Sequence, residues 1–222
     1  MRHDRYRQQN RKAASRRGSP RRRRRRTAGI MLFVLVASVL IFGGMKVLTL
    51  IKVHNLASLE VPSYVTQEYL TEDGHHRTGK SLTGIKNIVI HYTANPGSTA
   101  QENRDYFNQS TTYVSSHFIV GLQGEIIQCI PLNEQSSASN RANPYSISIE
   151  VCIPDSTGEF NIPAYNSTVK LTAWLCRNLG LSADDVIRHY DCDGANHKDC
   201  PKYYVEHPQA WAQFKEYVRE RI

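Results

Sequence analysis

The feature that most constrains this chain is a charge discontinuity near its N-terminus. Arg21 to Arg26 is an unbroken basic run, and Ala28 to Met45 then gives 18 residues without a charged side chain. Lys46 interrupts before a further apolar stretch to Ile51. As a helix, that run rises about 27 Å, close to the thickness of one hydrocarbon core. It is apolar on every side, so it has no face to offer water, and the flanking arginines suit a buried helix poorly. A cleaved signal peptide is the competing reading. Its apolar region is normally about 7–15 residues and ends at a small-x-small site; nothing after Lys46 makes a convincing one. The expectation is a basic cytoplasmic tail over residues 1–27 and a retained transmembrane anchor over residues 28–51. The positive-inside rule then makes this a single-pass protein of the cell membrane with its C-terminal part extracytoplasmic.

The tail also accounts for the basic character. Of the 28 Lys and Arg and the 20 Asp and Glu, 13 basic and one acidic fall in residues 1–26, leaving 15 basic against 19 acidic from Thr27 onward. The formal charge of +8 and the pI of 9.3 therefore describe the tail. A surface that grips a phosphate backbone needs clustered cations. The mildly acidic remainder has none to spare, so no nucleic-acid partner is expected. The tail itself reads as a topology signal rather than a binder of nucleic acid or anionic lipid. Five cysteines, at 129, 152, 176, 192 and 200, are too few and too scattered for a disulfide framework. Their odd number leaves a thiol outside any intramolecular bridge, and such a thiol can be a metal ligand.

Residues 52–84 read as an extracytoplasmic connector with a short element around Tyr64 to Leu70. His75 and His76 lie there among Gly and Thr, where solvated histidines are the expectation. From Ile85 to Ile222 the pattern is that of one folded domain. IKNIVIHY, from Ile85 to Tyr92, is a nearly continuous apolar run of the kind a buried strand shows. Thr99 and Glu102 have capping-box spacing and open a helix to about Asn108. Ser115 to Val120 and Glu125 to Ile130 read as paired strands joined around Gly121 and Gly124. Ser146 to Ile153 alternates, with Ile147, Ile149, Val151 and Ile153 on one face and Ser146, Ser148, Glu150 and Cys152 on the other. Val169 to Leu179 reads as a helix ended by Gly180. Val186 to His189 reads as a short strand, and Pro208 to Arg221 as a helix with Trp211, Phe214 and Val218 inward. The class is α/β in the broad sense, a central mixed sheet flanked by helices.

Two histidines, His91 and His189, fall at the ends of predicted strands, where the turning chain exposes side chains to a cleft. Cys200 follows His189 by 11 residues and precedes Pro201. Two imidazoles and a thiolate are a natural zinc set that leaves a fourth position open to water. Spacing alone also allows structural histidines.

Four stretches in order, IVIHYTANPGSTAQENRDYF, VSSHFIVGLQGEIIQCIP, NPYSISIEVCIP and VIRHYDCDGANHKDCP, resemble the type-2 N-acetylmuramoyl-L-alanine amidases, a family related to the peptidoglycan-recognition proteins. The resemblance covers about residues 85–205. It implies a zinc hydrolase that cuts between the lactyl group of N-acetylmuramic acid and the L-alanine of the stem peptide in peptidoglycan. Carried over position by position, it makes His91, His189 and Cys200 the zinc ligands. Glu150 matches the acid of a glutamate-dependent branch, and Lys198 a lysine beside the substrate carbonyl. Some members carry a tyrosine before the His-Phe pair of the second motif; here that residue is Ser116, which leaves proton transfer to Glu150. The interval from His189 to Cys200 is longer than in many relatives and contains Cys192 and His197, which makes Cys192 the rival third ligand. His117 is expected in the core or at the cleft wall, since a fourth protein ligand would close the site to water.

The chemistry implied is a zinc-activated water, deprotonated by Glu150, with Lys198 and the metal stabilising the oxyanion. The alternative is a non-catalytic peptidoglycan-binding receptor of the same fold, against which the full ligand set and Glu150 argue. A Cys–His hydrolase would need a thiol at a helix start beside a base; Cys176 and Cys152 are expected inside a helix and a strand. Physiological role, stem-peptide preference and oligomeric state have no signature in the sequence.

Overall fold

In chain order the elements are helix α1 (Pro20–Asn55), strands β1 (Val65–Gln67) and β2 (Asn87–Tyr92), helix α2 (Ala100–Phe107), strands β3 (Phe118–Val120), β4 (Ile126–Gln128) and β5 (Ser146–Val151), helix α3 (Ile162–Leu179), strand β6 (Val186–Arg188), and helices α4 (Lys202–Glu206) and α5 (Pro208–Arg219). The structure is a computed structural model that describes residues 20–72, 75–192 and 198–222, without the side chains of residues 20–30, 32, 46–47 and 49–52. The side chains of the Arg21–Arg26 run, and His197 with the rest of residues 193–197, lie outside the described residues.

Contacts divide the chain into two units, residues 1–48 and 49–222. Within the first, α1 carries Met31, Phe33, Leu35, Leu40 and Phe42, all largely exposed. Among the described residues, no helix is long and apolar enough to cross a membrane. The uncharged run from Ala28 to Met45 lies within α1.

The second unit is built on one six-stranded sheet in the order β1-β4-β3-β5-β2-β6. All neighbours are parallel except the β3–β4 hairpin. Parallel strands covered on both faces require apolar residues throughout, and Ile88, Val89 and Ile90 of β2 are fully buried. The alternation of β5 sorts its side chains as the sequence suggests. Ile147, Ile149, Val151 and Ile153 join the main core with Leu171, Leu175, Trp211, Phe214 and Val218 of α3 and α5. The opposite face carries Ser148 and Glu150, and a second core beside them gathers Ile119, Ile127 and Cys152 against Ala100 and Phe107 of α2.

Local signals set the helix ends. Thr99 and Glu102 form the expected capping box at the start of α2. Gly180 closes α3 in the left-handed conformation, φ 70°, a geometry a side chain would oppose. That helix starts earlier than Val169, at an Asn161 cap that accepts from the Ala164 N–H. Its first turns carry Tyr165, Asn166 and Ser167, which break the apolar period.

The stretch read as a connector is integrated into the domain. β1 pairs in parallel with β4, and Leu70 and Leu82 are almost wholly buried. Arg77 clamps it by donating to both carboxylate oxygens of Glu134, at 2.8 and 2.7 Å, and to the Leu70 carbonyl. His76 is buried rather than solvated. A three-residue strand is too short to show a period, so pairing here rests on long-range contacts.

Candidate active site

His91, Glu150 and His189 are brought together by strand order. β5, β2 and β6 are parallel neighbours, and these residues sit at or just past their carboxyl ends, where open α/β sheets place their sites. In the β2–β5 register His91 is the direct partner of Glu150. His189 opens the short 3-10 turn that follows β6. Cys200 comes from the segment before α4, its Sγ 3.8 Å from His91 Nδ1.

One ligand atom from each of His91, His189 and Cys200 lies within 4.8 Å of the other two. The His91 and His189 rings are 4.5 Å apart between centroids. Glu150 Oε1 is 3.9 Å from His91 Nδ1. All four residues line one cleft of about 650 Å³, together with Lys198, Tyr106 and Val114. Lys198 is exposed at its edge.

Burial sets the protonation states. His91 is held well below the usual imidazole range by burial, with His189 and Lys198 adding to the effect. His189 is lowered to about 4 by burial and then by Lys198. Both rings are thus neutral near pH 7, with a lone pair to donate. Burial pushes the Glu150 carboxyl up to about 8. The Cys200 thiol is raised too, by burial first and the Glu150 charge second. A divalent cation reverses both effects by favouring thiolate and carboxylate.

The residues fit a metal on two grounds. The donor set is two neutral imidazoles and a thiol, the set zinc takes. In addition, Glu150 Oε2 is buried without a hydrogen-bond partner. A polar atom so placed is costly unless something completes it.

The other candidates fall elsewhere. Cys192 packs with Val89 and Ala142 and turns its Sγ to the Arg188 carbonyl, so Cys200 is the thiol grouped with the histidines. All five cysteines are free. His117 is a core residue: Nδ1 accepts from the Ser148 N–H and Nε2 donates to the Glu134 carbonyl, both at 3.0 Å. Ser116 is buried, its hydroxyl donating to the Phe118 carbonyl. Sequence reasoning passed over Ser139 and Asn140, whose side chains touch His91 and His189 at 3.1 and 3.0 Å. They lie in the polar stretch SSASNRANP, which has no period; its run of Ser and Asn marks only turning chain.

Comparison with known proteins agrees with this geometry. The family profile described as N-acetylmuramoyl-L-alanine amidase matches residues 81–203. N-acetylmuramoyl-L-alanine amidase BlyA of Bacillus subtilis (strain 168) is 34% identical over 181 residues, covering 72% of this chain and 48% of BlyA. N-acetylmuramoyl-L-alanine amidase CwlL of Bacillus licheniformis is 32% identical over 171 residues, covering 69% of this chain and 46% of CwlL. The chain thus spans about half the length of the curated relatives it matches. Among solved structures, the catalytic domain of XlyA superposes with a TM-score of 0.60 at 28% identity, covering 69% of this chain and 98% of that one.

Proposed function

The chain belongs to the N-acetylmuramoyl-L-alanine amidase family, and from that premise we propose that it hydrolyses the amide between N-acetylmuramic acid and L-alanine in peptidoglycan, using zinc held by His91, His189 and Cys200. The observation that carries this reading is the half-buried Glu150 carboxyl beside a two-nitrogen, one-sulfur donor set in an open cleft. A receptor needs the groove but has no use for a carboxylate placed beside a metal donor set.

Zinc bound there would supply a Lewis acid that polarises the carbonyl and lowers the pKa of a bound water towards about 7. Glu150 takes the proton of the attacking water, with Oε2 as the accepting atom. Glu150, now protonated, then returns that proton to the alanine nitrogen, so that the amine leaves neutral. Lys198 presents a cation at the cleft edge to the carbonyl oxygen as negative charge develops. Tyr106 and Val114 form apolar wall for the peptide.

The proposal extends to the address. The uncharged run from Ala28 to Met45 behind six arginines, and the exposed apolar side chains of α1, support a single membrane anchor over residues 28–51 with residues 52–222 outside the cytoplasm. That places the domain on the side where peptidoglycan lies.

The deciding experiment is digestion of purified peptidoglycan by the chain, with and without a chelator, followed by mass analysis. Stem peptides with a free L-alanine amine should appear, and chelation should stop their release. Binding without product would leave the receptor reading instead.

A further inference from the structure

Two consecutive residues hold the two imidazoles from behind. Ser139 Oγ lies 3.1 Å from His91 Nε2, and Asn140 Nδ2 lies 3.0 Å from His189 Nε2. His91 turns its other nitrogen, Nδ1, towards Cys200 Sγ at 3.8 Å and Glu150 Oε1 at 3.9 Å. His189, held through Nε2, likewise has Nδ1 to offer.

This dipeptide is a built feature. Ser139 is fully buried. Its N–H donates to Asn143 Oδ1 at 2.6 Å, and its carbonyl accepts from the Ala142 N–H at 2.9 Å. Asn140 starts the 3-10 turn that leads into β5. It is also one of two non-glycine residues with positive φ among the described residues, at 52°. The left-handed region is unfavourable for a residue with a Cβ, and asparagine tolerates it better than most. In that conformation the carboxamide reaches His189 while the preceding hydroxyl stays on His91.

We propose that Ser139 and Asn140 are paired positioning residues that set both zinc histidines as Nε2–H tautomers, each presenting Nδ1 to the metal; the inference rests on the zinc reading above and deepens it. An imidazole that ligates through one nitrogen carries its proton on the other. An acceptor at that second nitrogen fixes the ring and strengthens it as a donor. The Ser139 hydroxyl is such an acceptor as it stands. Asn140 presents its amide nitrogen to His189 here, and a half-turn of the carboxamide brings Oδ1 to the same place. With Oδ1 so placed, Asn140 accepts from the Nε2–H of His189, as Ser139 does from that of His91.

The test measures zinc affinity of the chain by competition with a chromogenic chelator, alongside nitrogen-15 NMR of the imidazoles. Asn140→Gly relaxes the backbone but removes the amide, and Ser139→Ala removes the hydroxyl. Each should weaken zinc about 10–100-fold, the usual effect of losing such a partner. Asn140→Asp, which can only accept, should hold zinc at least as tightly as the parent. Asn140 is exposed, so its variants do not challenge the core. In the zinc-loaded parent both rings should show the Nε2–H tautomer. Parental affinity in Asn140→Gly and Ser139→Ala would overturn the inference. So would an Asn140→Asp variant as weak as Asn140→Gly, or an Nδ1–H ring in the loaded parent. A parent that holds no zinc would instead overturn the metal reading itself.

Discussion

Glu150 stands opposite His91 in the parallel pairing of β2 and β5, with its Oε1 3.9 Å from His91 Nδ1. Both side chains leave the same face of the sheet because partners in register share a face. The placement is rigid, since β2 and β5 are central strands with covered faces. A one-residue slip would turn Glu150 into the main core and bring Ile149 or Val151 to the cleft. The acid of the site is thus set by sheet register rather than by a loop.

Glu150→Gln keeps the volume and hydrogen-bonding reach of the side chain but cannot accept the proton. Turnover on peptidoglycan should fall by about 10²–10⁴-fold, the typical range for a lost general base. Zinc content should be unchanged, since Glu150 is not among the three grouped ligands. Near-normal turnover would remove Glu150 from the mechanism, and loss of zinc would recast it as a ligand.

The two nearby cysteines separate cleanly. Cys200→Ser should lose the metal, because the thiol grouped with the histidines is gone. Cys192→Ser should keep it, since that side chain faces Val89 and Ala142 instead. Metal analysis of both purified variants settles which thiol matters, and the reverse pattern would move the ligand role to Cys192.

His117 links stability to pH. Its folded pKa is lowered from 6.5 to about 4, chiefly by burial. Protonation at Nδ1 would also displace the Ser148 N–H that donates to it. As pH falls below 6.5 the unfolded chain binds this proton first. The contribution is therefore whole above pH 6.5 and is lost progressively down to about 4, reaching about 3 kcal/mol at the acid end. Urea unfolding of metal-free protein should show it. In His117→Phe the loss of stability between pH 7 and pH 5 should shrink by about 2 kcal/mol. An unchanged difference would mean that His117 titrates normally.

Topology is open to a direct measurement. A reporter fused after Ile222, of a type active only outside the cytoplasm, should be active in the parent. Replacing Arg21 to Arg26 with neutral residues should reduce that activity by weakening the orientation signal. An expressed fusion with an inactive reporter would sink both the anchor and the peptidoglycan assignment.

By itself the sequence determined the elements whose signals are local. The apolar run of β2, the Thr99–Glu102 box, the alternation from Ser146 to Ile153 and the inward Trp211, Phe214 and Val218 all reappear as expected. Periodicity reports which face of an element is buried, and a cap reports where it begins. His91, His189 and Cys200 stood out by strand-end position and donor chemistry, which also allowed a structural reading; motif resemblance gave them their roles and added Glu150 and Lys198. Only the tertiary structure decided how they meet. Cys200 contacts His91 across 109 residues of sequence, a separation no local pattern encodes. The same holds for β1 and the buried Leu70 and Leu82, and for Ser139 and Asn140 behind the imidazoles. Each of these depends on strand order, register and loop path, which are settled by packing of the whole domain, because a polar or very short segment has no preference of its own strong enough to fix its place.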